Sequence, residues 1–461
     1  MRLIFCSMIF VSMTAAQDGL TGKWDVTASP EKGAPIKLDA TLKQDGKELT
    51  GTVNSMMGSG PVKNAVVGNP DITFQFMINK YQFEVTGVQD TETIKGTFTG
   101  PRMKGAFLAK RIPPPTIPAV EGVETGTLGA QYRIDIPKNH NGSLIVYCHG
   151  YAREPGKFEK DKEPAALVKG FLEMGYAVAQ SGYSKGGWAV KEAMEETEAL
   201  RKFFAGKYGK PKRTYITGHS MGGFLTLALA ESFPESYDAG LQMCGPTGPA
   251  LTFFQRRVFD TLAVYDYYFP GVIGSPVQIT EALGDSDFTV RLQKEMTSYP
   301  DRLEAFQKWG GFQSDQEAAS VTAFFAAIQK DLMERGGGNA FDNRNTIYQG
   351  STNDVQLNRG IKRYAADAKA TEYVRKYATL KGQPKIPILT LHTTYDPLVP
   401  SWTMNTYQEM MQANGSDANY VARFVARNGH CTFTPQEMTN AFKDLVAWKD
   451  SGKKPEGGEQ K

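Results

Sequence analysis

Residues 213–233 read RTYITGHSMGGFLTLALAESF and carry the local pattern that decides the fold. A short apolar strand pattern gives way to an apolar helix pattern, and the turn between them has the form Gly-x-Ser-x-Gly with Ser220 at its centre. Such a turn needs small flanking residues, because the chain passes from strand to helix while holding the serine in a strained conformation. The stretch therefore predicts a serine hydroxyl presented at the end of a buried strand.

The same turn pattern occurs a second time, in GYSKGG at residues 182–187, with Ser184 at its centre. Both turns follow a strand pattern and precede a helix pattern, so the local sequence does not separate them. Only one such turn is needed to present a reactive serine, and position in the sheet has to decide between the two.

Strand and helix patterns alternate from about residue 123 onward. This alternation predicts a doubly wound, mostly parallel α/β sheet over residues 123–450. Residues 246–383 interrupt it with helix-forming sequence rich in aromatic residues, which predicts a helical cap inserted between two strands. The strand patterns are SLIVYCHG, YAVAQS, RTYITG, AGLQMCG, IPILTLH and YVARFVA, and the last helix pattern is PQEMTNAFKDLVAWK.

A serine hydroxyl is a weak nucleophile until a base accepts its proton and an acid orients that base. His430 lies in the loop ARNGHCTF, between the last strand and the last helix, and is predicted as the base. Asp396, in HTTYDPLVP, follows a strand and lies between Ser220 and His430 in chain order, so it is predicted as the acid. The remaining histidines lie in a polar turn, at a strand end, inside the serine turn and inside a strand pattern: His140, His149, His219 and His392, respectively.

Taken in order, the segments CHGY, GHSMGG, YDPLVP and GHCTF resemble the motifs of the α/β-hydrolase superfamily, from about residue 123 to the last helix. The resemblance implies a catalytic triad of Ser220, Asp396 and His430 that works through an acyl-enzyme, with no metal and no organic cofactor. Some secreted members that the chain resembles are feruloyl esterases or polyester depolymerases.

The resemblance also separates the two serine turns. In this fold a helix, a strand and a second helix come between the strand before His149 and the nucleophile, and only Ser220 leaves room for all three. Ser184 is then expected to be a turn residue or a helix N-cap before Trp188. The backbone N–H groups of Tyr151 and Met221 are the expected oxyanion hole.

The cysteines leave two alternatives open. The fold brings the His430 loop close to the end of the strand that carries Cys244, so Cys244 and Cys431 could form a disulfide. Cys148 lies in an apolar strand pattern and is expected to be a buried free thiol. A disulfide and three free thiols are both compatible with the sequence.

Residues 20–111 have strand rhythm and no helix rhythm. The segment IKLDATLKQDGKELTGTV alternates apolar and polar positions around Asp45-Gly46, which is typical of a hairpin. Six to eight short antiparallel strands predict a small barrel or sandwich, and GKW with KGTFTG resembles lipocalin-like β modules. Three consecutive prolines predict a stiff linker over residues 112–122.

The two chain ends differ from the folded units. The start, MRLIFCSMIFVSMTAAQDG, has one Arg, a short apolar run and then small residues, which predicts a signal peptide over residues 1–16 and a secreted or periplasmic protein. The tail, residues 451–461, is predicted to be disordered. The net charge of +3 is spread through the chain and argues against a nucleic-acid partner, and no apolar run is long enough for a membrane span.

Carboxylic-ester hydrolysis by an exported serine esterase is the leading functional hypothesis, with a small-molecule or polymer-linked ester as the partner. The segment TFFQRRVFDTLAVYDYYFPG predicts an aromatic cap, and any rings that reach the serine would favour aromatic or bulky acyl groups. Two alternatives are a serine peptidase of the prolyl-oligopeptidase type and a non-catalytic protein that binds a ligand through its β module. The oligomeric state is left open.

Overall fold

The computed structural model describes residues 19–55, 58–90, 92–112, 124–128, 130–159, 162–279 and 286–460. The chain divides into two compact units, Met1–Thr116 and Ile117–Lys461. The predicted signal peptide and all but the first residue of the predicted linker lie outside the described residues.

The N-terminal unit is a closed barrel of eight antiparallel strands. Each strand pairs with the next one in the chain, and the last closes on the first, with Lys23 opposite Ile112. The predicted hairpin turn is present, with Gly46 at φ 59° between the second and third strands. The strands are β1 (Gly22–Pro30), β2 (Ile36–Asp45), β3 (Glu48–Ser55), β4 (Gly58–Val67), β5 (Asp71–Ile78), β6 (Tyr81–Gln89), β7 (Thr93–Thr99) and β8 (Lys104–Ile112).

The barrel interior is filled by side chains. Period-two alternation along each strand sends one apolar set inward, and all eight strands contribute to a single buried cluster. Trp24 is its largest member, and the indole Nε1–H donates to the Leu20 carbonyl at 3.1 Å. Of the two alternatives that the sequence allowed, the structure is the barrel.

The C-terminal unit contains a nine-stranded mixed sheet in the order β19-β18-β17-β14-β13-β11-β12-β10-β9. β11 to β14 and β17 to β19 run parallel where they pair, whereas β10 is antiparallel to both β9 and β12. The strands are β9 (Glu124–Leu128), β10 (Ala130–Asp135), β11 (Leu144–Cys148), β12 (Ala177–Ser181), β13 (Thr214–His219), β14 (Ala239–Met243), β17 (Ile388–Tyr395), β18 (Tyr420–Asn428) and β19 (Gly458–Glu459).

Helices pack on both faces of this sheet, and a helical cap separates β14 from β17. The helices at the sheet are α1 (Ala166–Glu173), α2 (Val190–Tyr208), α3 (Met221–Ser232), α11 (Trp402–Ala413) and α12 (Pro435–Ser451). The cap consists of α4 (Ala250–Phe253), a π-helical segment (Phe254–Phe259), α5 (Asp260–Tyr268), the short hairpin of β15 (Gly274–Ser275) and β16 (Gln278–Ile279), α6 (Ser286–Thr297), α7 (Pro300–Gly310), α8 (Asp315–Gly336), α9 (Asp354–Gly360) and α10 (Ala368–Ala378). The predicted fold class is confirmed.

Two buried clusters fix the sheet between its helices. Phe171 of α1 and Phe442 of α12 pack on one face, whereas Phe204 of α2 and Phe224 of α3 pack on the other face together with the cap. α12 begins with a capping box, in which Thr434 and Glu437 each satisfy a backbone N–H of the other residue. The chain reverses its direction of winding at β11, so a crevice opens between the carboxyl ends of β11 and β13, where ligands bind in folds of this kind.

The prediction of a disordered tail is wrong. Gly458 and Glu459 pair in parallel with Arg423 and Phe424 of β18, and the Arg423 side chain donates to the Glu456 carbonyl at 2.8 Å. The polar composition of the tail suggested disorder, but an exposed sheet edge offers unpaired backbone groups that such a segment satisfies. Among the described residues, no helix is both long and apolar enough to cross a membrane.

Candidate functional site

Ser220 occupies the sharp turn between β13 and α3. Its backbone has φ 55° and ψ −123°, a conformation that L-residues rarely adopt, and its N–H donates to the Met243 carbonyl at 3.0 Å. A Cβ atom at Gly222 would lie 2.0 Å from the Cys148 carbonyl oxygen, so only glycine fits there. The flanking glycine therefore allows α3 to start close to β11 and exposes the serine at the crevice.

The structure brings Ser220, His430 and Asp396 into one hydrogen-bonded chain. The Ser220 Oγ lies 2.8 Å from the His430 Nε2, and the His430 Nδ1 lies 2.6 Å from the Asp396 Oδ2. These residues are up to 210 positions apart in the chain, and each follows the carboxyl end of a parallel strand, β13, β17 or β18. The three parallel strands thus bring together the serine, the aspartate and the histidine that chain order had indicated.

The Asp396 carboxylate is held rigidly and defines the histidine tautomer. Its side chain is fully buried, and its Oδ1 accepts the backbone N–H groups of Leu398 and Val399, each at 2.9 Å. An ionised carboxylate can only accept hydrogen bonds, so the His430 Nδ1 carries the proton and donates it. The lone pair of Nε2 is consequently directed at the Ser220 hydroxyl.

Ser184 lies apart from this chain of groups. Its backbone N–H donates to the Glu196 Oε2 at 2.9 Å. Of the two roles expected for Ser184, the helix N-cap is wrong, because α2 begins only at Val190, after Ala189, and Ser184 lies in a bend before it. The segment that follows Ser184 stays irregular since it is hydrogen-bonded to the loop after β11, with the Gly187 N–H donating to the Ala152 carbonyl at 2.8 Å.

The other histidines have structural roles. His219 is bonded through Nδ1 to the Tyr147 hydroxyl at 2.7 Å, and burial lowers the pKa of His219 to about 4. His149 stacks on the Tyr183 ring at 4.0 Å, and burial lowers the pKa of His149 and of His392. These three rings are therefore neutral near pH 7, whereas His140 lies at a surface turn beside the Ser143 carbonyl.

Two backbone N–H groups border the serine. Met221 is the first residue of α3, and Tyr151 follows β11 across the crevice. Among the described residues, neither N–H donates to a protein acceptor. Both groups are thus free to bind an oxyanion, the role expected for them from the sequence.

A narrow apolar cavity adjoins Ser220 and His430. Its walls come from the loop after β11, the start of the cap, α8 and the Asp396 loop, and its free volume is about 20 Å³. Some of the aromatic residues in the first cap segment reach this cavity, while Tyr265 and Phe269 pack against Phe306 inside the cap. The apolar lining residues are Tyr151, Trp188, Pro246, Phe253, Phe254, Val258, Phe324, Phe325, Ile328, Leu398 and Val399.

Arg257, on the π-helical segment, links the cap to the Asp396 loop. Its guanidinium donates to the Pro397 carbonyl and, at 2.9 Å, to the Gly310 carbonyl, and it lies 5.1 Å from the Phe312 ring centroid. Burial lowers the pKa of Arg257 to about 10, so it remains a cation near Asp396 at neutral pH. π-helical turns often occur at functional sites, and this one combines pocket walls with a partly buried charge.

Sequence reasoning did not identify Arg257, Trp188 or Phe324 as site residues. Trp188 directly follows the second glycine-rich turn, which is the one local signal that could have identified it. Phe324 and Arg257 reach the site only through the packing of the cap.

A disulfide joins Cys244, after β14, to Cys431, next to the histidine, with the Cα atoms 5.5 Å apart. The Cys431 Sγ lies 3.4 Å from the His430 Nε2, so the disulfide is in contact with the imidazole itself. Cys148 is a buried free thiol. The structure thus favours the paired alternative that the sequence left open.

Comparison with known proteins places the C-terminal unit in a family. A sequence profile described as alpha/beta hydrolase fold matches residues 143–409, which is more than half of the chain. The chain is also similar to an o-phthalyl amidase from Xanthobacter agilis, with 23% identity over 400 residues that cover 71% of this chain and 86% of the relative.

Solved structures that resemble the chain include esterases. Est1E from Butyrivibrio proteoclasticus is 14% identical, with a TM-score of 0.34, over 72% of this chain and 99% of Est1E. The Pyrococcus furiosus esterase Pf2001 is 13% identical, with a TM-score of 0.37, over 73% of this chain and 92% of the esterase. The family assignment rests on the sequence profile.

Proposed function

The chain belongs to the α/β-hydrolase fold family, and on that premise we propose that it is a serine hydrolase that cleaves carboxylic esters through an acyl-enzyme intermediate. The observation that carries the proposal is the chain of short contacts from the Ser220 Oγ through His430 to the buried Asp396. Among the described residues, no other serine hydroxyl is hydrogen-bonded to a histidine, since His140 contacts only the backbone carbonyl of Ser143.

Each step follows from this geometry. The Ser220 hydroxyl attacks the substrate carbonyl carbon while the His430 Nε2, 2.8 Å away, accepts its proton. The free N–H groups of Tyr151 and Met221 stabilise the negative charge that develops on the carbonyl oxygen. His430 then protonates the departing alcohol, and in the second half-reaction it accepts a proton from the water that attacks the acyl-enzyme.

The lining of the cavity favours aromatic or bulky apolar acyl groups. Six aromatic rings supply apolar surface beside the nucleophile: Tyr151, Trp188, Phe253, Phe254, Phe324 and Phe325. The cavity is narrow, with space of about 20 Å³, so we expect these rings to move apart when a benzoyl group binds. Faster hydrolysis of benzoyl or hydroxycinnamoyl esters than of acetyl esters is expected, and an acetyl preference would contradict this assignment.

Amide hydrolysis is the second candidate. A relative with 23% identity is an o-phthalyl amidase. The same serine, with the same histidine as its base, can attack an amide carbonyl. The N-terminal unit gives little support to the other two alternatives. It is an eight-stranded barrel and not the propeller expected of a prolyl-oligopeptidase-type peptidase. Its interior is filled by side chains, which does not favour a ligand-binding role for the β module.

We propose further that the protein is exported. The support comes from the leader-like sequence of residues 1–16 and from the Cys244–Cys431 disulfide, because disulfides persist mainly in oxidising compartments.

Labelling with a fluorophosphonate tests the assignment of the nucleophile. Wild-type protein and the Ser184→Ala variant should be labelled equally, whereas Ser220→Ala should not be labelled. p-Nitrophenyl esters and the p-nitroanilides of the same acids, compared on wild-type protein, then separate esterase from amidase activity. Labelling that persists in Ser220→Ala would refute the proposed nucleophile.

A further inference from the structure

A second cavity lies beside the apolar one and differs from it in chemistry. It has a volume of about 340 Å³ and is bordered by the loop after β11, by Gly187 of the second glycine-rich turn and by α8. Its charged lining residues are Arg153, Glu154, Lys330, Asp331 and Glu334.

The two cavities share Tyr151. Its side chain lines both of them and packs edge-on against the Phe324 ring, with the ring centroids 5.2 Å apart. α8 also borders both, since Phe324 and Ile328 line the apolar cavity while Ala327 and Lys330 line the polar one. A substrate whose carbonyl lies at Ser220 can therefore place its two ends on opposite sides of Tyr151.

The polar cavity has a rigid wall. The Asp331 carboxylate accepts the Trp188 N–H at 2.6 Å and is paired with Arg335 at 3.0 Å. Arg335 also donates to the Gly186 carbonyl at 2.6 Å. Gly187 has φ 79°, and a Cβ atom there would lie 2.3 Å from the Asp331 Oδ1, so glycine is required at this position. The second glycine-rich turn thus joins the Tyr151 loop to α8, a role unrelated to a nucleophile.

The charged groups around the cavity are of both signs, with one carboxylate in excess. Arg153 and Lys330 are cationic and Glu154 and Glu334 are anionic, and none of these four side chains forms a hydrogen bond or an ion pair with another described residue. Arg335 is shared between the Asp331 carboxylate at 3.0 Å and the Glu192 carboxylate at 3.1 Å. The cavity therefore offers strong donors and strong acceptors side by side, which suits a group with several hydroxyls better than an anion or an alkyl chain.

We propose that this cavity is the subsite for the leaving group, and that it takes a neutral polyhydroxylated alcohol while the acyl group occupies the apolar cavity beyond Tyr151. The inference rests on the proposed ester hydrolysis and names the alcohol side of its substrate. Lys330 and Glu334 determine specificity in this arrangement because they contact the alcohol.

Four esters of one acid test the inference: glucose 6-benzoate, butyl benzoate, benzoylcholine and the benzoyl ester of glycolate. For wild-type protein, kcat/KM for the glucose ester should exceed kcat/KM for each of the others by about tenfold, the effect of one or two additional hydrogen bonds. Lys330→Met and Glu334→Gln should each lower the glucose-to-butyl ratio about fivefold, mainly through KM. The exposed Lys443→Met and Glu409→Gln variants serve as matched controls and should keep the wild-type ratio.

The outcomes separate this inference from the proposed function. Butyl benzoate hydrolysed as fast as the glucose ester, or a ratio unchanged in both α8 variants, would refute the subsite while leaving the esterase intact. A preference for benzoylcholine or for the glycolate ester would also refute it, because the cavity would then select its ligand by charge and not by hydroxyl groups. If no ester is turned over and fluorophosphonate does not label Ser220, the proposed function itself fails.

Discussion

Removal of the Cys244–Cys431 disulfide should weaken both folding and activity. The bond connects residues 187 positions apart, and in the chain-entropy description a loop of that length corresponds to about 5 kcal/mol of stabilisation. The double variant Cys244→Ala, Cys431→Ala should therefore lose up to about 5 kcal/mol in the free energy of unfolding. The value is an upper estimate, since compact denatured chains lose less entropy on cross-linking.

Activity should fall in this variant but should not be lost completely. Other contacts continue to hold the histidine loop, including the Gly429 N–H to the Tyr395 carbonyl and the Thr393 hydroxyl to the Gly429 carbonyl, both at 2.8 Å. The contact of the Cys431 Sγ with the His430 Nε2 at 3.4 Å is lost, so the imidazole gains freedom. A displacement of about 1 Å at a reacting group lowers the rate by up to about 100-fold, and a loss of kcat between 10-fold and 100-fold is expected.

Urea unfolding with and without reductant measures the stability, and hydrolysis of a p-nitrophenyl ester measures kcat. Cys148→Ala is the matched control: it removes the buried free thiol and should keep the dependence on reductant. Alkylation of the denatured protein without residues 1–16 should detect one thiol in the oxidised wild type. Three reactive thiols, together with an unfolding midpoint that reductant does not move, would show that the reasoning is wrong.

Three further predictions follow from buried polar groups. Asp396→Asn should lower kcat by about 10⁴-fold, because an amide no longer enforces the reactive tautomer of His430. A loss of kcat below tenfold in an ester hydrolysis assay would contradict the role of Asp396 as the acid that orients His430. Arg257→Ala should lower Tm and reduce kcat about tenfold, because the cap loses its hydrogen bond to the Pro397 carbonyl. Arg256 is exposed, so Arg256→Ala should change neither Tm nor kcat. Equal effects of the two variants would show that the Arg257 hydrogen bonds do not hold the cap to the Asp396 loop. Burial raises the pKa of Asp260 in the cap to about 6 from 3.8, so the stability that its protonated form contributes is fully present below pH 4 and is lost as the pH rises through 6. Thermal unfolding measured from pH 4 to pH 8 should show a decline of at most about 3 kcal/mol that is absent in Asp260→Asn, and a decline that persists in this variant would assign it to other groups.

Local sequence patterns predicted the parts of the fold that are built from regularly repeated strands, turns and helices. The ends of parallel strands lie at one edge of a sheet, so the strand patterns before Ser220, Asp396 and His430, together with the resemblance to the α/β-hydrolase motifs, led to the expectation that these distant residues lie side by side. The barrel was predictable for a related reason, since hairpins and period-two alternation are properties of neighbouring residues. In contrast, the tail 451–461 was misjudged because its pairing depends on the free edge of β18 and not on its own composition.

The amino-acid sequence by itself therefore determined the two-unit organisation, the class of each fold and the chain order of the groups that meet at Ser220. Only the tertiary structure decided what surrounds them: the Cys244–Cys431 bond, the link from Arg257 to the Asp396 loop, and the second glycine-rich turn as a contact for α8. The physical reason is the distance along the chain over which each contact forms. Strand, turn and helix signals act over a few residues, whereas the Trp188–Asp331 hydrogen bond spans 143 residues and exists only once the cap has packed on the sheet.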